Sequence, residues 1–290
     1  MKLLRLLIFL FSLAVFVVFG INRYREYITS DYVAPVITAD TDKISVSVNA
    51  TDADLLVGMS AKDNLDGDVS NSLFVVSKSK FLRDTTRRVD YAAFDNNNNV
   101  GTYSRELTYT DYVSPHFSLV QPLRFLSSYS NHDYLKNFRA YDCLDGNLTQ
   151  QLRITLGETT VIDELTSSRA INLQVTNSAG DTATLELNAL LQDYDTYYTQ
   201  TPALNEYLIY TSIGEKPNYS AMLTGVFSGD RVKEFDETNF NPNVDISIND
   251  AAVDYYTPGV YTVSFQLSRV LKDGSRGMLG TTVLFVIVEG

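Results

Sequence analysis

The chain is poor in the residues that build covalent or metal-based frameworks. It has one cysteine, Cys143, two histidines, His116 and His132, and no tryptophan among 290 residues. A single cysteine excludes an internal disulfide framework and a structural zinc site made of several thiolates. Two histidines exclude a histidine-rich metal centre. Positive charge is also scarce, since 23 Lys and Arg stand against 35 Asp and Glu, for a net charge of −12. This balance argues against nucleic-acid binding, which needs Lys and Arg to neutralise phosphates.

Helical periodicity is missing beyond residue 27, although 44% of the residues are hydrophobic and folded cores are therefore expected. Short stretches that alternate apolar and polar residues recur instead, with Gly, Asn, Asp and Pro between them. Such alternation is typical of antiparallel β-sandwiches. We therefore predict an all-β fold of tandem Ig-like sandwiches behind one N-terminal helix.

The N-terminal segment contains a long apolar run, residues 3–21, interrupted only by Arg5 and Ser12. At about 1.5 Å per residue this run matches the hydrocarbon thickness of a bilayer. We predict a retained transmembrane anchor, with cleavage of residues 1–20 as a signal peptide as the alternative. The positive charges at the N-terminal end, from the α-amino group, Lys2 and Arg5, slightly outweigh those after the run, where Glu26 partly offsets Arg23 and Arg25. This favours a cytoplasmic N terminus and an extracellular bulk in a single-pass protein of the cell membrane.

Two motifs recur at a spacing of about 80 residues. Residues 31–35, DYVAP, return as DYVSP at 111–115, and residues 61–68, AKDNLDGD, return as AYDCLDGN at 140–147. Each unit then has an alternating strand, at residues 89–95 and 171–177, that enters an Asn-containing turn and is followed by a closing strand. Two motifs with nearly one offset indicate a tandem repeat.

A third unit follows in which the acidic motif is lost but the later strands remain, as in the alternating residues 258–265 and 281–288. We predict four segments from these patterns, listed here as anchor 1–27, Ig-like domain 28–113, Ig-like domain 114–197 and divergent Ig-like domain 198–290. Units of 80–90 residues have room for seven strands each, and tandem units of this size predict a semi-rigid rod.

The repeated D-x-x-x-P and A-x-D-x-x-D-G-D patterns, with the later strands, resemble the immunoglobulin-like surface repeats of bacteria, including their hyalin-repeat and cadherin-like relatives. The resemblance covers 31–113 and 114–193 well and the third unit only in its second half. It implies a structural, spacer or adhesive role on a cell surface, with other envelope proteins or glycans as partners. It also implies that calcium is a ligand worth testing, since cadherin-like modules bind it.

Four acidic residues are candidates for that calcium site: Asp63, Asp66, Asp68 and Asp95. Carboxylate oxygens from two loops are ligands that Ca²⁺ prefers, but their spacing does not match an EF-hand loop. The competing interpretation is that these residues accept hydrogen bonds from turn backbone, with Gly67 supplying a positive φ. For Asp66 and Asp68 we expect mainly the turn role. No other cofactor is expected.

Tyr194, Tyr197 and Tyr198 are candidate binding residues in the linker before the third unit. Aromatic rings stack on sugars, so a carbohydrate- or cell-wall-binding module is the alternative function. Packing of these rings against a neighbouring domain is the competing interpretation. No nucleophile–base motif accompanies the histidines, so we expect no enzyme activity. We interpret Cys143 as a small, partly buried apolar residue.

Overall fold

The computed structural model describes residues 2–29, 31–128, 133–228, 231–235, 240–271 and 273–290. His132, named above, lies outside the described residues. The chain forms two compact units, Met1–Tyr112 and Val113–Gly290. Strands dominate both, and the predicted all-β class of Ig-like sandwiches with one N-terminal apolar helix is confirmed.

The N-terminal helix α1 spans Lys2–Thr29, and its stretch Leu3–Tyr27 has a mean hydropathy of 2.7 with none of it buried. At about 1.5 Å per residue such a helix is long enough to cross a bilayer. Near its end Arg23 donates to Glu26 at 2.8 Å, one helical turn away. Its length and composition are those of a membrane span or of a signal sequence.

The rest of the first unit consists of seven strands and one short helix. They are β1 (Val36–Ala39), β2 (Lys43–Val46), α2 (Asp52–Leu55), β3 (Met59–Asp63), β4 (Gly67–Asp68), β5 (Phe74–Arg83), β6 (Thr86–Phe94) and β7 (Val100–Tyr109). One sheet has the order β1-β3-β4 and the other the order β2-β7-β6-β5. Alternation places Val89, Tyr91 and Ala93 of β6 inside, where they are fully buried. The Tyr91 hydroxyl is satisfied there by donating to the Leu55 carbonyl at 3.1 Å.

The second unit contains this seven-strand pattern twice. Its first copy is β8 (His116–Leu119), β9 (Arg124–Leu126), β10 (Phe138–Asp142), β11 (Gly146–Asn147), β12 (Arg153–Val161), β13 (Thr166–Thr176) and β14 (Thr182–Gln192). After helix α3 (Tyr194–Tyr197), its second copy is β15 (Thr201–Leu204), β16 (Leu208–Ser212), β17 (Leu223–Ser228), β18 (Arg231–Glu234), α4 (Pro242–Asp245), β19 (Ile246–Asn249), β20 (Gly259–Val270) and β21 (Arg276–Glu289). The sheets are β8-β10-β11 with β12-β13-β14-β9, and β15-β17-β18 with β16-β21-β20-β19.

The two copies in the second unit share one hydrophobic core, which runs from Phe117 to Val288. Backbone bonds join them as well, since the Tyr207 N–H donates to the Leu119 carbonyl at 2.9 Å. The Phe117 N–H donates to the Tyr210 hydroxyl, also at 2.9 Å. The division into three domains, with boundaries near 113 and 197, stays a prediction.

The sheets are mixed rather than purely antiparallel. In each copy a short edge strand pairs in parallel with the last strand, as β2 does with β7, β9 with β14 and β16 with β21. A parallel pair needs a long connection between its members. Here the partners are the second and the last strand of a copy, so the whole sandwich provides that connection.

The repeated acidic motif forms the same tight turn in both copies that carry it. Asp63 pairs with Gly67 and Asp142 with Gly146 at the end of a two-stranded ladder. Gly67 has φ +74° and Gly146 φ +70°, in the left-handed region that glycine adopts at little cost. The turn places Asp63 and Asp142 at equivalent ends of their sandwiches.

Candidate metal centre

Three carboxylates meet at one end of the first sandwich. Asp31 precedes β1, Asp63 ends β3 and Asp95 follows β6. One oxygen from each lies within 4.8 Å of the other two. The three residues are only 8%, 8% and 3% exposed, in that order. The fold therefore gathers three acidic groups in one poorly hydrated place.

Asp63 is held by the backbone of its own turn. Its Oδ1 accepts from the Asp66 N–H at 2.8 Å and from the Leu65 N–H at 2.9 Å. The Asp66 N–H is the largest influence that lowers the pKa of the Asp63 carboxyl below its ordinary value, and it outweighs the opposite effect of burial. The charged form of Asp63 is the form that this turn stabilises.

Asp95 is held by the asparagine-rich turn after β6. Its Oδ1 accepts from the N–H groups of Asn97 and Asn99, both at 2.8 Å, and its Oδ2 from the Asn99 amide at 2.7 Å. The same amide donates to the Asp31 carbonyl at 2.9 Å. The turn thus fixes Asp95 and ties the chain at residue 31 to it.

Two oxygens of this group have no hydrogen-bond donor. Asp31 Oδ1 accepts from the Val33 N–H at 2.9 Å, but Asp31 Oδ2 and Asp63 Oδ2 are buried and unpaired. Among the described residues, no lysine or arginine forms an ion pair with Asp31, Asp63 or Asp95. Buried carboxylates without donors are costly unless a cation satisfies them. Hard carboxylate oxygens suit Ca²⁺ or Mg²⁺, and the residues present fit such an ion.

The structure brings together two of the four acidic residues that the sequence predicted. Asp66 instead accepts from the Asn96 N–H at 2.8 Å and from the Asn96 amide at 2.7 Å. Asp68 accepts from the Ser70 hydroxyl at 2.6 Å and from the Ser70 N–H at 3.0 Å. These contacts favour the turn interpretation for Asp66 and Asp68. Both residues are exposed and lie apart from the three buried carboxylates.

The residue that sequence reasoning missed is Asp31. It opens the repeat motif D-x-x-x-P, and the signal that would have found it is its repetition as Asp111. Asp111 itself is engaged elsewhere in the first unit, where it accepts from the Ser47 hydroxyl at 2.7 Å and the Val48 N–H at 2.8 Å. The Ser47 hydroxyl is the largest influence that lowers the pKa of Asp111 below its ordinary value.

We call the end of the first sandwich that holds Asp31, Asp63 and Asp95 the first corner, and the equivalent end of the second repeat the second corner. At the second corner an asparagine amide donates to the aspartate. Asp142 Oδ1 accepts from the Leu144 N–H at 2.8 Å and the Asp145 N–H at 3.0 Å, as Asp63 does in its own turn. Its Oδ2 accepts from the Asn177 amide at 3.0 Å. Asn177 occupies the position of Asp95, directly after the sixth strand of its copy. Every oxygen of Asp142 therefore has a donor from the protein.

The three tyrosines predicted as binding residues form one cluster at helix α3. The ring centroids of Tyr194 and Tyr198 are 4.5 Å apart, and those of Tyr197 and Tyr198 are 5.1 Å apart. The Arg124 guanidinium carbon lies 5.2 Å from the Tyr197 centroid and 5.5 Å from that of Phe227. Tyr197 therefore packs against neighbouring strands, whereas Tyr194 is 66% exposed.

A cavity of about 260 Å³ opens beside this cluster. Tyr197, Arg124 and Phe227 line it together with Lys136 and Asn137. With Gln121 and Phe125, which also line it, the cavity combines two cations, two amides and three aromatic rings, a set that suits a polar ligand with a flat apolar face.

Two other singled-out residues have ordinary surroundings. Cys143 is exposed rather than partly buried, because it lies in the turn that directly follows Asp142, the last residue of β10. Its thiol donates to the Val113 carbonyl at 3.2 Å. The His116 ring lies 4.2 Å from that of Tyr210, and its Nε2 is 3.1 Å from a carboxylate oxygen of Glu289.

No protein-family model matches the chain, and no curated protein matches it. Solved structures do match. A protocadherin gammaB7 EC3-6 cis-dimer structure is 12% identical, with 89% of this chain and 74% of that chain covered and a TM-score of 0.21. Mouse cadherin-23 EC22-24 is 13% identical, with 88% and 99% covered and a TM-score of 0.22.

A third match is the M60 catalytic domain with the CBM51-1 and CBM51-2 domains of Clostridium perfringens ZmpB, at 12% identity and a TM-score of 0.19. It covers 89% of this chain but only 31% of that chain. The first two are cadherin-like extracellular domains in tandem. Because the TM-scores are near 0.2, these matches say nothing about the site, and its chemistry is inferred from the side chains of this chain alone.

Proposed function

We propose that the chain is a membrane-anchored extracellular rod of three Ig-like domains, 28–113, 114–197 and 198–290, on a bacterial cell surface. It acts as a spacer or as an adhesin-like interaction protein for other envelope components. The observation that carries the proposal is the seven-strand sandwich pattern, repeated three times after one apolar helix. Modules of this kind extend a chain away from its anchor and offer surface rather than catalytic clefts. The proposal assigns no catalytic residue.

Orientation is the part of the proposal that a simple experiment tests, because the single cysteine is exposed and serves as a native probe. A membrane-impermeant maleimide is added to intact bacteria that express the full chain, and to the same cells after lysis. An extracellular bulk predicts that Cys143 is labelled in intact cells. Labelling only after lysis contradicts the proposal.

Two variants control this experiment. Cys143→Ser removes the label in both samples. Adding Lys2→Cys to that variant places the probe before the apolar run, where a cytoplasmic N terminus predicts labelling only after lysis.

The second candidate function is a carbohydrate- or cell-wall-binding module. It is favoured by one observation, the cavity in which Tyr197 lies beside Arg124, Lys136 and Asn137. Stacking of a sugar on Tyr197 and hydrogen bonds from the polar groups would provide recognition.

Glycan-array binding by the full chain in detergent tests this candidate. If Tyr197 is the platform, Tyr197→Ala weakens binding at least about tenfold. Tyr198→Ala weakens it less, because the Tyr198 ring packs against that of Tyr197 but does not line the cavity. Tyr256→Ala leaves binding unchanged, because Tyr256 is exposed and does not line the cavity. An array without binding contradicts this second candidate and leaves the spacer or adhesin-like role.

A further inference from the structure

The two acidic corners differ at one pair of atoms. In the second repeat the Asn177 amide nitrogen donates to Asp142 Oδ2 at 3.0 Å, and Asn177 Oδ1 accepts from the Asp181 N–H at 2.9 Å. In the first repeat Asp95 Oδ1 accepts from the Asn99 N–H in the same way, at 2.8 Å. The group corresponding to the amide nitrogen is then a carboxylate oxygen. This oxygen, Asp95 Oδ2, accepts from the Asn99 amide at 2.7 Å and, unlike the Asn177 amide, has no proton to donate to the neighbouring aspartate.

Two buried carboxylate oxygens at the first corner have no hydrogen-bond donor. Asp63 Oδ2, the atom that matches Asp142 Oδ2, is buried without a donor, and so is Asp31 Oδ2. Both oxygens belong to side chains more than nine-tenths buried, in a group whose ligand atoms lie within 4.8 Å of one another. Ca²⁺ holds oxygen ligands at about 2.3–2.6 Å, so one ion spans oxygens up to about 5 Å apart.

We propose that Asp31, Asp63 and Asp95 bind one hard divalent cation, with Ca²⁺ as the best fit, and that Asn177 takes the place of such an ion in the second repeat. The ligands are all oxygen, which selects Ca²⁺ or Mg²⁺ over zinc. The site differs from the one predicted from sequence in using Asp31 and in leaving out Asp66 and Asp68. It is independent of the proposed function.

The ion also has a mechanical consequence. Asp31 lies two residues after the end of α1, whereas Asp63 and Asp95 belong to the sandwich. Binding therefore fastens the chain just after the helix to the ends of β3 and β6. Removing the ion leaves this segment held by the Asn97 and Asn99 amides on the Asp31 carbonyl.

Calorimetric titration of the full chain in detergent, after treatment with EDTA, tests the proposal. We expect one saturable Ca²⁺ site with a Kd below about 1 mM, and weaker binding of Mg²⁺, which demands a stricter geometry. Hydrogen exchange of the amides of residues 31–34 should slow by at least about tenfold when Ca²⁺ is added. Absence of a saturable site up to about 10 mM Ca²⁺ overturns the proposal.

The decisive variant is Asp95→Asn, which copies the second repeat. It should bind Ca²⁺ at least about thirtyfold more weakly. The new amide can donate to Asp63 Oδ2 as that of Asn177 does to Asp142, and this offsets the loss of the hydrogen bond from the Asn99 amide, so the variant should remain folded. Asp31→Asn gives an independent loss of a ligand. Asp66→Asn is the matched control, because Asp66 lies three residues from Asp63 but outside the buried group. Unchanged binding in both Asp95→Asn and Asp31→Asn contradicts the proposal, as does its loss in Asp66→Asn alone.

Discussion

The first and second repeats build the same corner with different chemistry. In both, an aspartate at the end of a strand accepts two turn N–H groups, and a second aspartate, Asp66 or Asp145, holds the neighbouring hairpin turn. They differ where Asp95 is replaced by Asn177. That exchange of an oxygen for an amide nitrogen separates a corner in which Asp63 Oδ2 has no donor from one in which Asp142 Oδ2 has one. A shared backbone framework therefore does not imply shared chemistry at the corner.

Asn177→Asp is expected to have the largest effect of the changes that probe this difference. Among the described contacts, the Asn177 amide is the only donor to Asp142 Oδ2. The substitution replaces it with a second carboxylate, at a place where both side chains are more than nine-tenths buried. Loss of a buried partner together with like-charge repulsion should lower the free energy of unfolding of the second unit by about 3 kcal/mol. Chemical denaturation of the full chain in detergent measures it.

Gln174→Glu is the control for that variant, because it adds the same charge at an exposed position of β13, the strand that Asn177 follows, opposite Thr184 and Arg153 rather than an acid. Calcium should not rescue Asn177→Asp, since Asp111, the counterpart of Asp31, is engaged by Ser47 and Val48. Full rescue by calcium would show that the second corner also holds an ion.

Asp66→Ala and Asp145→Ala probe the part of the corner that the repeats share. Each removes two hydrogen bonds to the following hairpin, to Asn96 in the first repeat and to Ser178 in the second. We expect similar losses of about 1 kcal/mol in the free energy of unfolding of the two units, because both carboxylates are exposed. Denaturant curves measure both. A loss confined to the first repeat would mean that Asp66 does more than hold its turn.

Acidification is expected to give the smallest difference between the repeats. The Ser70 hydroxyl, followed by the Ser70 N–H, holds the pKa of Asp68 below its ordinary value, whereas its counterpart Asn147 does not titrate. Asp68 therefore has a lower pKa in the folded protein than in the unfolded chain, where it is about 4. Such a group stabilises the fold fully at a pH above its unfolded pKa, and this stabilisation is lost as the pH falls through its folded pKa.

Wild type should therefore melt higher than Asp68→Asn at about pH 6, and the difference in Tm should close by about pH 3. The reciprocal change Asn147→Asp should introduce the same acid sensitivity in the second unit, because Asn147 already accepts from the Thr149 N–H at 3.0 Å. A difference in Tm that stays constant with pH contradicts the assignment.

Local patterns predicted the strands and turns well. The alternation in residues 89–95 and 171–177 predicted strands that the structure contains as β6 and β13, and the Asp-Gly motifs predicted turns at Gly67 and Gly146. The parallel edge pairs were not predicted, because they join residues at opposite ends of a repeat. The binding role of Tyr197 stays a prediction, but its place beside Arg124 depends on a contact some seventy residues away along the chain.

The sequence alone determined the all-β class, the tandem repeat and the apolar N-terminal segment, because each depends on residues that lie close together in the chain. Only the tertiary structure decided which acids meet. Asp31, Asp63 and Asp95 are each 32 residues from the next, and no local pattern relates them. The pairing of β1 with β3 and the path of β6 bring them to one end of the sandwich. Burial there leaves Asp31 Oδ2 and Asp63 Oδ2 without a donor, and carboxylates without donors are costly once water is excluded.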